Sequence, residues 1–315
     1  MYHPGWYIIK YGSAASQPKT KHSGVLHMIR MDLHMHSTCS DGTDKPEDLP
    51  GLIRHEGITL FSLTDHDSTD GCKHVKNELK LGEADFLTGV EFSCKDELGK
   101  YHILGYGYDP GAASIKEIVA LGHRYRMDKL DMRLQRLKEM FGIAFAQEDV
   151  DLLHTLNNPG KPHIANLMVR CGFAENRVQA ITQYLNKLHC PDLYVSPQQA
   201  IRAVADGGGI PVLAHPCYGS GDQQIMGAEL DERVKYLMDF GLKGLEGFYS
   251  AFVPKQTKQV LDLAEKYKLY ITAGSDYHGS NKLISLGDTG LEQTQTVPKG
   301  LDSFLERIAD LPGFN

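Results

Sequence analysis

Histidines and acidic residues recur at the ends of short apolar segments along this chain. In "DLHMHSTCSDG", residues 32 to 42, two histidines, His34 and His36, stand one residue apart, and Asp41 follows five residues after the second. The segment that leads into them alternates apolar and polar residues, which is typical of a β-strand. A strand end followed by a loop can direct all three side chains toward one point. A fold that accommodates this run can therefore place the three side chains at one shared site.

Six further segments are predicted to be strands, and most of them end in the same kind of residue. They are residues 58–63, 85–94, 100–107, 210–216, 244–249 and 269–279. The candidate ligands in or after the strands are His34, His36, Asp41, Asp65, His66, Glu91, His102, His215, Asp276 and His278. In a closed parallel or mixed barrel the strand ends meet at one face, so we expect these side chains to converge there.

A long helical segment separates the fourth predicted strand from the fifth. Its first part has apolar residues at positions 127, 130, 134, 137 and 141, which is the spacing of one buried helical face. Farther on, Pro162 and Gly172 are placed to open and close another helix. We predict one α/β domain, residues 29–111 and 201–315, interrupted by a helical insert, residues 112–200. Residues 1–28 are expected to be an N-terminal extension or leader.

Composition narrows the function classes. The chain has 315 residues, of which 41% are hydrophobic, and this is enough for a substantial core. Its net charge of -7 argues against a general nucleic-acid coat protein, so no stable nucleic-acid complex is expected. No apolar run approaches membrane-spanning length, and no membrane association is expected. The six cysteines form no CxxC pair, which disfavours a thiolate zinc site and fits free thiols in a cytoplasmic protein.

The candidate ligands are histidines and carboxylates without thiolate. Such donors suit Zn²⁺, Mn²⁺ or Fe²⁺. A catalytic ion needs about three protein ligands and one open position. Ten candidates therefore predict two or three divalent metal ions, with carboxylates such as Glu91 and Asp276 able to bridge neighbouring ions.

Five motifs in order resemble those of the PHP family, named for polymerase and histidinol phosphatase. They are "DLHMHSTCSDG", "TDHD", "GVEFS", "AHP" and "GSDYH", and they span residues 32 to 278. The resemblance implies a distorted (β/α) barrel, TIM-barrel-like, with a multinuclear metal site. The helical insert further resembles that of the subgroup of small-molecule phosphoesterases that includes nucleotide and nucleoside 3′,5′-bisphosphate phosphatases.

The resemblance also implies a ligand set for each ion. One ion would be held by His34, His36, Glu91 and Asp276. A second would be held by Glu91, His102 and His215, with Glu91 bridging. A third would be held by Asp41, His66 and His278. Asp65 matches no ligand in this scheme and is interpreted as a carboxylate that orients a histidine, whereas Glu246 is left without a role.

The implied chemistry is attack of a metal-bound hydroxide on phosphorus, because paired metal ions lower the pKa of a shared water. His66, His102 and His215 are the candidates for proton transfer to the leaving oxygen, and the sequence does not choose between them. "GKPHIA" resembles a segment that reaches over the site in the subgroup, which makes Lys161 and His163 candidate phosphate contacts.

Arg126 and Arg133, on the charged side of the long helix, are further candidates for gripping the substrate. A solvated helix face is the competing interpretation of these arginines, and core packing is the competing interpretation of His163.

Three function classes stay open at this stage. The first is a phosphatase acting on a small nucleotide-like or sugar phosphate monoester. The second is a phosphodiesterase that opens a cyclic sugar phosphate or trims short oligonucleotides from their 5′ ends. The third is a non-catalytic PHP module. A C–N hydrolase of the amidohydrolase type, in which related barrels use similar sites, is less favoured than these three.

Overall fold

The computed structural model describes residues 30–80, 82–219, 223–294 and 296–311. The predicted extension, residues 1–28, lies outside the described residues. Within the described ranges, no helix is both long enough and apolar enough to cross a membrane.

A small parallel sheet forms the first part of the fold. Its strands are β1 (Met31–Asp32), β2 (Leu60–Phe61) and β3 (Asp85–Phe86), in that order. They alternate with helices α1 (Leu49–His55) and α2 (Asp70–Glu78). Helix α1 is short, and Pro50 sits in its first turn, where the missing N–H costs no hydrogen bond. The mixed α/β class is thus present from the first elements onward.

A five-stranded sheet carries the rest of the strands. They are β4 (Gly89–Asp96), β5 (Gly99–Tyr106), β6 (Ile210–Leu213), β7 (Gly244–Tyr249) and β8 (Tyr270–Gly274), in sequence order. Strand β5 pairs antiparallel with β4 and with β6, whereas β6, β7 and β8 are parallel. Two of the predicted strands, residues 85–94 and 100–107, thus form a hairpin, and β4 begins only after a break that separates it from β3.

Contacts at two edges join the sheets. At one edge the N–H of Leu33 donates to the carbonyl of Ala273 at 2.9 Å, and Met35 forms an isolated bridge with Tyr277. At the other edge His66 bridges to Glu91 on β4. These contacts bring the segments that follow β1, β2 and β8 to the same end of the structure.

Helices account for most of residues 113–206. They are α3 (Ala113–Phe141), α4 (Gln147–His154), α5 (Lys161–Arg170), the single turn α6 (Arg177–Gln179) and α7 (Pro197–Asp206). A π-helical turn (Ala180–Tyr184) and a 3₁₀ turn (Leu185–Lys187) follow α6. The predicted helix signals are present, because Pro162 lies in the first turn of α5 and Gly172 has a φ of +76° just beyond its end.

The long helix α3 takes part in two hydrophobic clusters. Its first turns place Ile115 and Ile118 in the main core, which surrounds the five-stranded sheet. Its later turns place Leu130 and Leu137 in a separate cluster with α5 and the turns that follow it. The predicted apolar stripe is thus a buried face. Helices α8 (Gly227–Met238), α9 (Pro254–Tyr267) and α10 (Lys299–Ala309) complete the elements around the strands.

Candidate metal centre

Glu91 lies at the centre of the predicted ligands. It is on β4, with 1% of its surface exposed. Its Oε2 lies 3.1 to 3.2 Å from one ring nitrogen of each of three histidines, His34, His36 and His66. Its Oε1 lies 2.8 Å from Nδ1 of His102 and 3.4 Å from Nε2 of His215. This is the geometry expected of a bridging carboxylate.

Asp276, which follows β8, also faces His34 and His36. Its Oδ1 lies 3.5 Å from Nε2 of His34 and 3.3 Å from Nε2 of His36. Both histidines are fully buried. The four residues predicted to share one ion therefore direct four donor atoms at each other.

Asp41 gathers the third predicted set. Its Oδ1 lies 3.2 Å from Nε2 of His278 and 4.0 Å from Nε2 of His66. It also lies 3.9 Å from Nδ1 of His36. Because His66 directs its other nitrogen at Glu91, the sets are not separate. All nine predicted ligands form one continuous cluster.

The donor atoms of this cluster fit divalent metal ions. Five buried atoms of the cluster have no hydrogen-bond partner among the described residues, namely Nε2 of His34, Nε2 of His36, Oδ1 of Asp41 and both carboxylate oxygens of Glu91. Buried polar atoms are seldom left unpaired, because each costs about 1–3 kcal/mol. Nitrogen and carboxylate atoms that converge without hydrogen bonds are the donor set of Zn²⁺, Mn²⁺ or Fe²⁺.

Unusual backbone conformations occur at the site. Three non-glycine residues there have positive φ angles, Asp67 at 49°, His215 at 28° and Asp276 at 60°. Such conformations cost of order 1–3 kcal/mol and persist only where the surroundings hold them. Here the N–H of Asp276 donates to the carbonyl of His34, and the N–H of Asp67 donates to that of Glu91. The two predicted ligands among them are thus aimed by backbone geometry that the sequence did not reveal.

Glu246 supports two of the candidate ligands. This fully buried carboxylate on β7 places Oε1 2.9 Å from Nδ1 of His34. Its Oε2 accepts a hydrogen bond of 2.7 Å from the backbone N–H of His215. A Cβ at Gly274 would lie 2.6 Å from Oε1 of Glu246, so the close approach requires glycine. The end of the β7 motif pointed to this face, but only the structure gives Glu246 a role.

Asp65 contacts serines rather than a histidine. It accepts hydrogen bonds from the backbone and hydroxyl of Ser37 and from the hydroxyl of Ser40. Ser40 in turn lies 3.4 Å from Nδ1 of His36. Asp65 therefore fixes the loop after His36, and it reaches the ring of His36 only through Ser40.

Two residues that the sequence did not single out hold the outer oxygen of Asp276. The hydroxyl of Tyr249 donates to Oδ2 at 2.9 Å, and Nζ of Lys282 lies 2.5 Å from it. They leave Oδ1 directed at the histidines. No local motif marks either residue, because each meets Asp276 only through the fold.

Burial and the neighbouring carboxylates shift the pKa of His36 in opposite directions. Burial disfavours the charged form of His36, but Asp276 and Glu91 outweigh it and raise its pKa to about 9. Burial likewise disfavours the charge on Glu91, yet the surrounding histidines hold its pKa well below the usual range. Protons and metal ions therefore compete for the same nitrogen atoms.

A cavity of about 240 Å³ adjoins the cluster. Asp41, His66 and His102 line one side of it. Five cationic side chains also line it, Lys100, Arg126, Lys129, Arg133 and Lys161, together with the ring of Tyr194. Three of the four predicted substrate contacts thus reach this cavity, and His163 does not line it. Lys100, Lys129 and Tyr194 are not among the predicted substrate contacts.

Arg126 ties α3 to the metal-ligand loops. Its Nε and Nη2 lie 2.7 and 2.6 Å from Oδ2 of Asp67, and its Nη2 donates to the hydroxyl of Ser93 at 2.8 Å. Ser93 lies 3.5 Å from Nδ1 of His66. The interpretation of Arg126 as part of a solvated face is therefore wrong.

His163 has a structural contact at the start of α5. Its Nδ1 accepts a hydrogen bond of 3.1 Å from the backbone N–H of Gly160. This contact satisfies one of the free N–H groups at the helix end. It also fixes the loop that carries Lys161. A direct substrate contact through His163 stays a prediction.

Comparison with known families decides the assignment. Residues 32–183 match the family model described as the PHP domain. These residues, just under half of the chain, form a PHP domain. The family predicted from the five motifs is thereby confirmed, and with it the class of metal-dependent phosphoric ester hydrolase.

Characterised PHP relatives have several different activities. The chain is 29% identical over 259 residues to a phosphoribosyl 1,2-cyclic phosphate 1,2-diphosphodiesterase of Eggerthella lenta, covering 79% of this chain and 94% of the relative. It is 28% identical over 266 residues to the 5′-3′ exoribonuclease Rnm of Escherichia coli, covering 83% and 89%. It is 27% identical over 290 residues to a 3′,5′-nucleoside bisphosphate phosphatase of Chromobacterium violaceum, covering 86% and 93%.

Solved structures agree with the PHP assignment. A protein of Bifidobacterium adolescentis, described as a predicted metal-dependent phosphoesterase, matches with a TM-score of 0.76 and 28% identity, covering 89% of this chain and 95% of that one. A Chromobacterium violaceum structure described as an amidohydrolase matches with a TM-score of 0.71 at 23% identity, covering 81% and 90%, and this likeness concerns the fold alone.

Proposed function

We propose that this PHP-family protein hydrolyses a small phosphate monoester that carries a second anionic group, such as a nucleoside 3′,5′-bisphosphate. The observation that carries the proposal is the shared cavity. Asp41, His66 and His102 of the metal-ligand cluster line the same space as five lysine and arginine side chains. A substrate with two phosphates would place one at the cluster and the other among the cations.

The cluster would hold two or three divalent ions, Mn²⁺, Fe²⁺ or Zn²⁺. When bound, such ions activate a water and neutralise the charge on the phosphoryl oxygens. Glu246, Tyr249 and Lys282 orient the ligands through hydrogen bonds. We propose His66, His102 or His215 as the group that passes a proton to the leaving oxygen. Support is stronger for His66 and His102, because both line the cavity.

The cations would position the substrate rather than react with it. Lys161 and Arg133 are proposed as direct contacts of the second anionic group. Two guanidinium nitrogens of Arg126 are already engaged by Asp67 and Ser93. Its larger part in the reaction would be to hold α3 against the loop that carries His66.

A phosphodiesterase is the alternative. Relatives of similar identity are named a cyclic phosphate diesterase and a 5′-3′ exoribonuclease. The same cluster would serve a cyclic sugar phosphate or the 5′ end of a short oligonucleotide. The metal-loaded protein is incubated with a nucleoside 3′,5′-bisphosphate, a nucleoside 5′-monophosphate, a cyclic phosphate and a 5′-phosphorylated dinucleotide, and the products are separated by chromatography. Inorganic phosphate is the product of a monoesterase, whereas a ring-opened monoester or a released mononucleotide is the product of a diesterase.

Preference for the bisphosphate supports our proposal, and faster turnover of the cyclic or dinucleotide substrate overturns it in favour of the alternative. The variant His36→Ala should lose turnover, while His55→Ala removes a histidine whose side chain is 83% exposed and serves as its control. Metal binding without any turnover would indicate the non-catalytic module.

Finer features of the architecture and location belong to the same proposal. We infer that the two sheets together form the distorted barrel of the PHP family, supported by the contacts that join both edges. We also infer that residues 112–200 form an inserted helical subdomain over the site, supported by their own hydrophobic cluster. A cytoplasmic location is proposed because all six cysteines are free thiols.

A further inference from the structure

Lys129 is a buried cation that lacks an acidic partner. It lies on α3 with 6% of its surface exposed, and it lines the cavity beside the metal-ligand cluster. Its Nζ lies 3.6 Å from the centroid of the Tyr194 ring. No carboxylate lies within ion-pair distance of Nζ in the part of the chain that the structure describes. Lysines are rarely buried without such a partner.

Cations face Lys129 from the elements around it. Arg126 and Arg133 lie on the same helix, and Lys100 comes from β5. Lys100 also lies 5.6 Å from the centroid of the Tyr194 ring, on which both lysines converge. Asp67 favours the charged form of Lys129, but Arg126 already engages its carboxylate. Lys161, from α5, completes the cationic lining.

Together, burial and the surrounding charges bring the pKa of Lys129 close to neutral pH. Burial disfavours the charged form, Arg126 and Arg133 repel it, and together they lower the pKa of Lys129 to about 7. The ring face of Tyr194 and the carboxylate of Asp67 act in the opposite direction. A negative charge that enters the cavity would further favour the charged form of Lys129.

We propose that Lys129 is largely a neutral amine in the free protein at slightly alkaline pH and takes up a proton from solvent when a dianionic group enters the cavity. The cavity then gains one positive charge only when its occupant carries two negative charges. A terminal phosphate monoester is a dianion at this pH, as free inorganic sulfate is, whereas a phosphodiester carries a single charge. Lys129 therefore favours substrates whose second group is a monoester.

This selectivity rests on the proposed phosphoesterase function, but the uptake of a proton does not. It can be measured with sulfate, which stays a dianion across the working range and is not hydrolysed. Calorimetric titration of the metal-loaded protein with sulfate at pH 8, in two buffers of different ionisation enthalpy, reports the protons bound per sulfate. For a group with a pKa of about 7 the expected uptake is about 0.9 proton.

Two substitutions of Lys129 separate the effect of its positive charge from the effect of its proton uptake. Lys129→Arg keeps a positive charge that does not titrate, so it should bind sulfate with affinity within a few fold of the wild type and without that uptake. Lys129→Met keeps the apolar stem, and it should lose both the uptake and at least about tenfold in affinity. Arg136→Met, at an exposed position of the same helix, is the matched control and should behave as the wild type.

The proposal is overturned if sulfate does not bind the wild type, or if Lys129→Arg takes up as many protons as the wild type does. A parallel assay measures KM for a nucleoside 3′,5′-bisphosphate between pH 6.5 and 8.5. Wild-type KM should rise with pH as the resting amine loses its proton, and the Lys129→Arg profile should be flatter. If no phosphoester is turned over but the sulfate difference stands, the proposed function fails and the inference about Lys129 holds.

Discussion

Oε1 of Glu246 lies 2.9 Å from Nδ1 of His34, and Oε2 of the same carboxylate accepts the backbone N–H of His215. One buried side chain on β7 thus supports a ligand that follows β1 and another that follows β6. Because Nδ1 of His34 faces Glu246, its Nε2 is left to face Glu91 and Asp276. A carboxylate in this position fixes the tautomer and the ring orientation of a metal-binding histidine.

Removal of this support should weaken metal binding without removing a ligand. We expect Glu246→Ala to lower metal affinity by about 10- to 100-fold, the range typical of such partners. Glu246→Gln should have a smaller effect, because its amide oxygen can still accept from His34 while its NH₂ faces the donor of His215. Competition titration with a chromophoric chelator measures the affinities. Unchanged affinity in both variants would contradict the assigned role.

Substitution of the central carboxylate should change how many ions bind. Three of the five surrounding histidines face Oε2 of Glu91, and the other two face Oε1. The amide of glutamine offers only one oxygen ligand. We expect Glu91→Gln to lose at least one ion per chain and at least about 100-fold in turnover. Metal analysis of purified protein gives the stoichiometry. Glu97→Gln, at the exposed hairpin turn that follows β4, is the control. Full metal content in Glu91→Gln would rule out a bridging role.

The structure brings the nine predicted ligands together, and eight of them, all but His102, stand in the five motifs. The sequence predicts less well where the fold brings distant segments together. The first strand was expected over residues 29–36, but it ends at Asp32. Beyond that point the N–H of Leu33 donates to Ala273, and the N–H of His36 donates to Tyr277. A pattern of alternation cannot show which later segment provides those acceptors.

The cationic cavity illustrates the same limit. Its cations come from β5, α3 and α5, and Tyr194 comes from the loop before α7. Charged residues at helical spacing on α3 are usual for a solvated face. Only the position of Tyr194 shows that Lys129 is covered, while Arg136 on the same helix stays exposed. The periodicity of a helix gives its faces but not what packs on them.

The ion pair of Arg126 with Asp67 should couple α3 to the site. Both side chains are largely buried, with 15% and 4% exposure. Removal of one partner leaves the other charge buried without compensation, so we expect Arg126→Met to cost about 3–5 kcal/mol of unfolding free energy. A double-mutant cycle with Asp67→Asn, followed by urea denaturation, should give a coupling energy of about 1–3 kcal/mol. Additive effects would show that the pair does not act as a unit.

The stability of the protein should depend on pH through Lys129. Its pKa is about 7 in the folded chain and about 10.4 when unfolded. Between these values the unfolded chain binds more protons, so stability rises with pH by up to about 1.4 kcal/mol per pH unit. Below pH 7 both states are protonated, and the full cost of the buried charge is present.

The measurement is urea denaturation of the wild type and Lys129→Met at pH 7, 8 and 9, with metal content held constant. The wild type should gain stability relative to the variant as pH increases, because methionine has no charge to lose. Lys258→Met is the control, since the side chain of Lys258 is 75% exposed and its charge costs the folded state little. Parallel profiles for the wild type and Lys129→Met would mean that the amine stays charged in the folded protein, and the inference about proton uptake would fail with it.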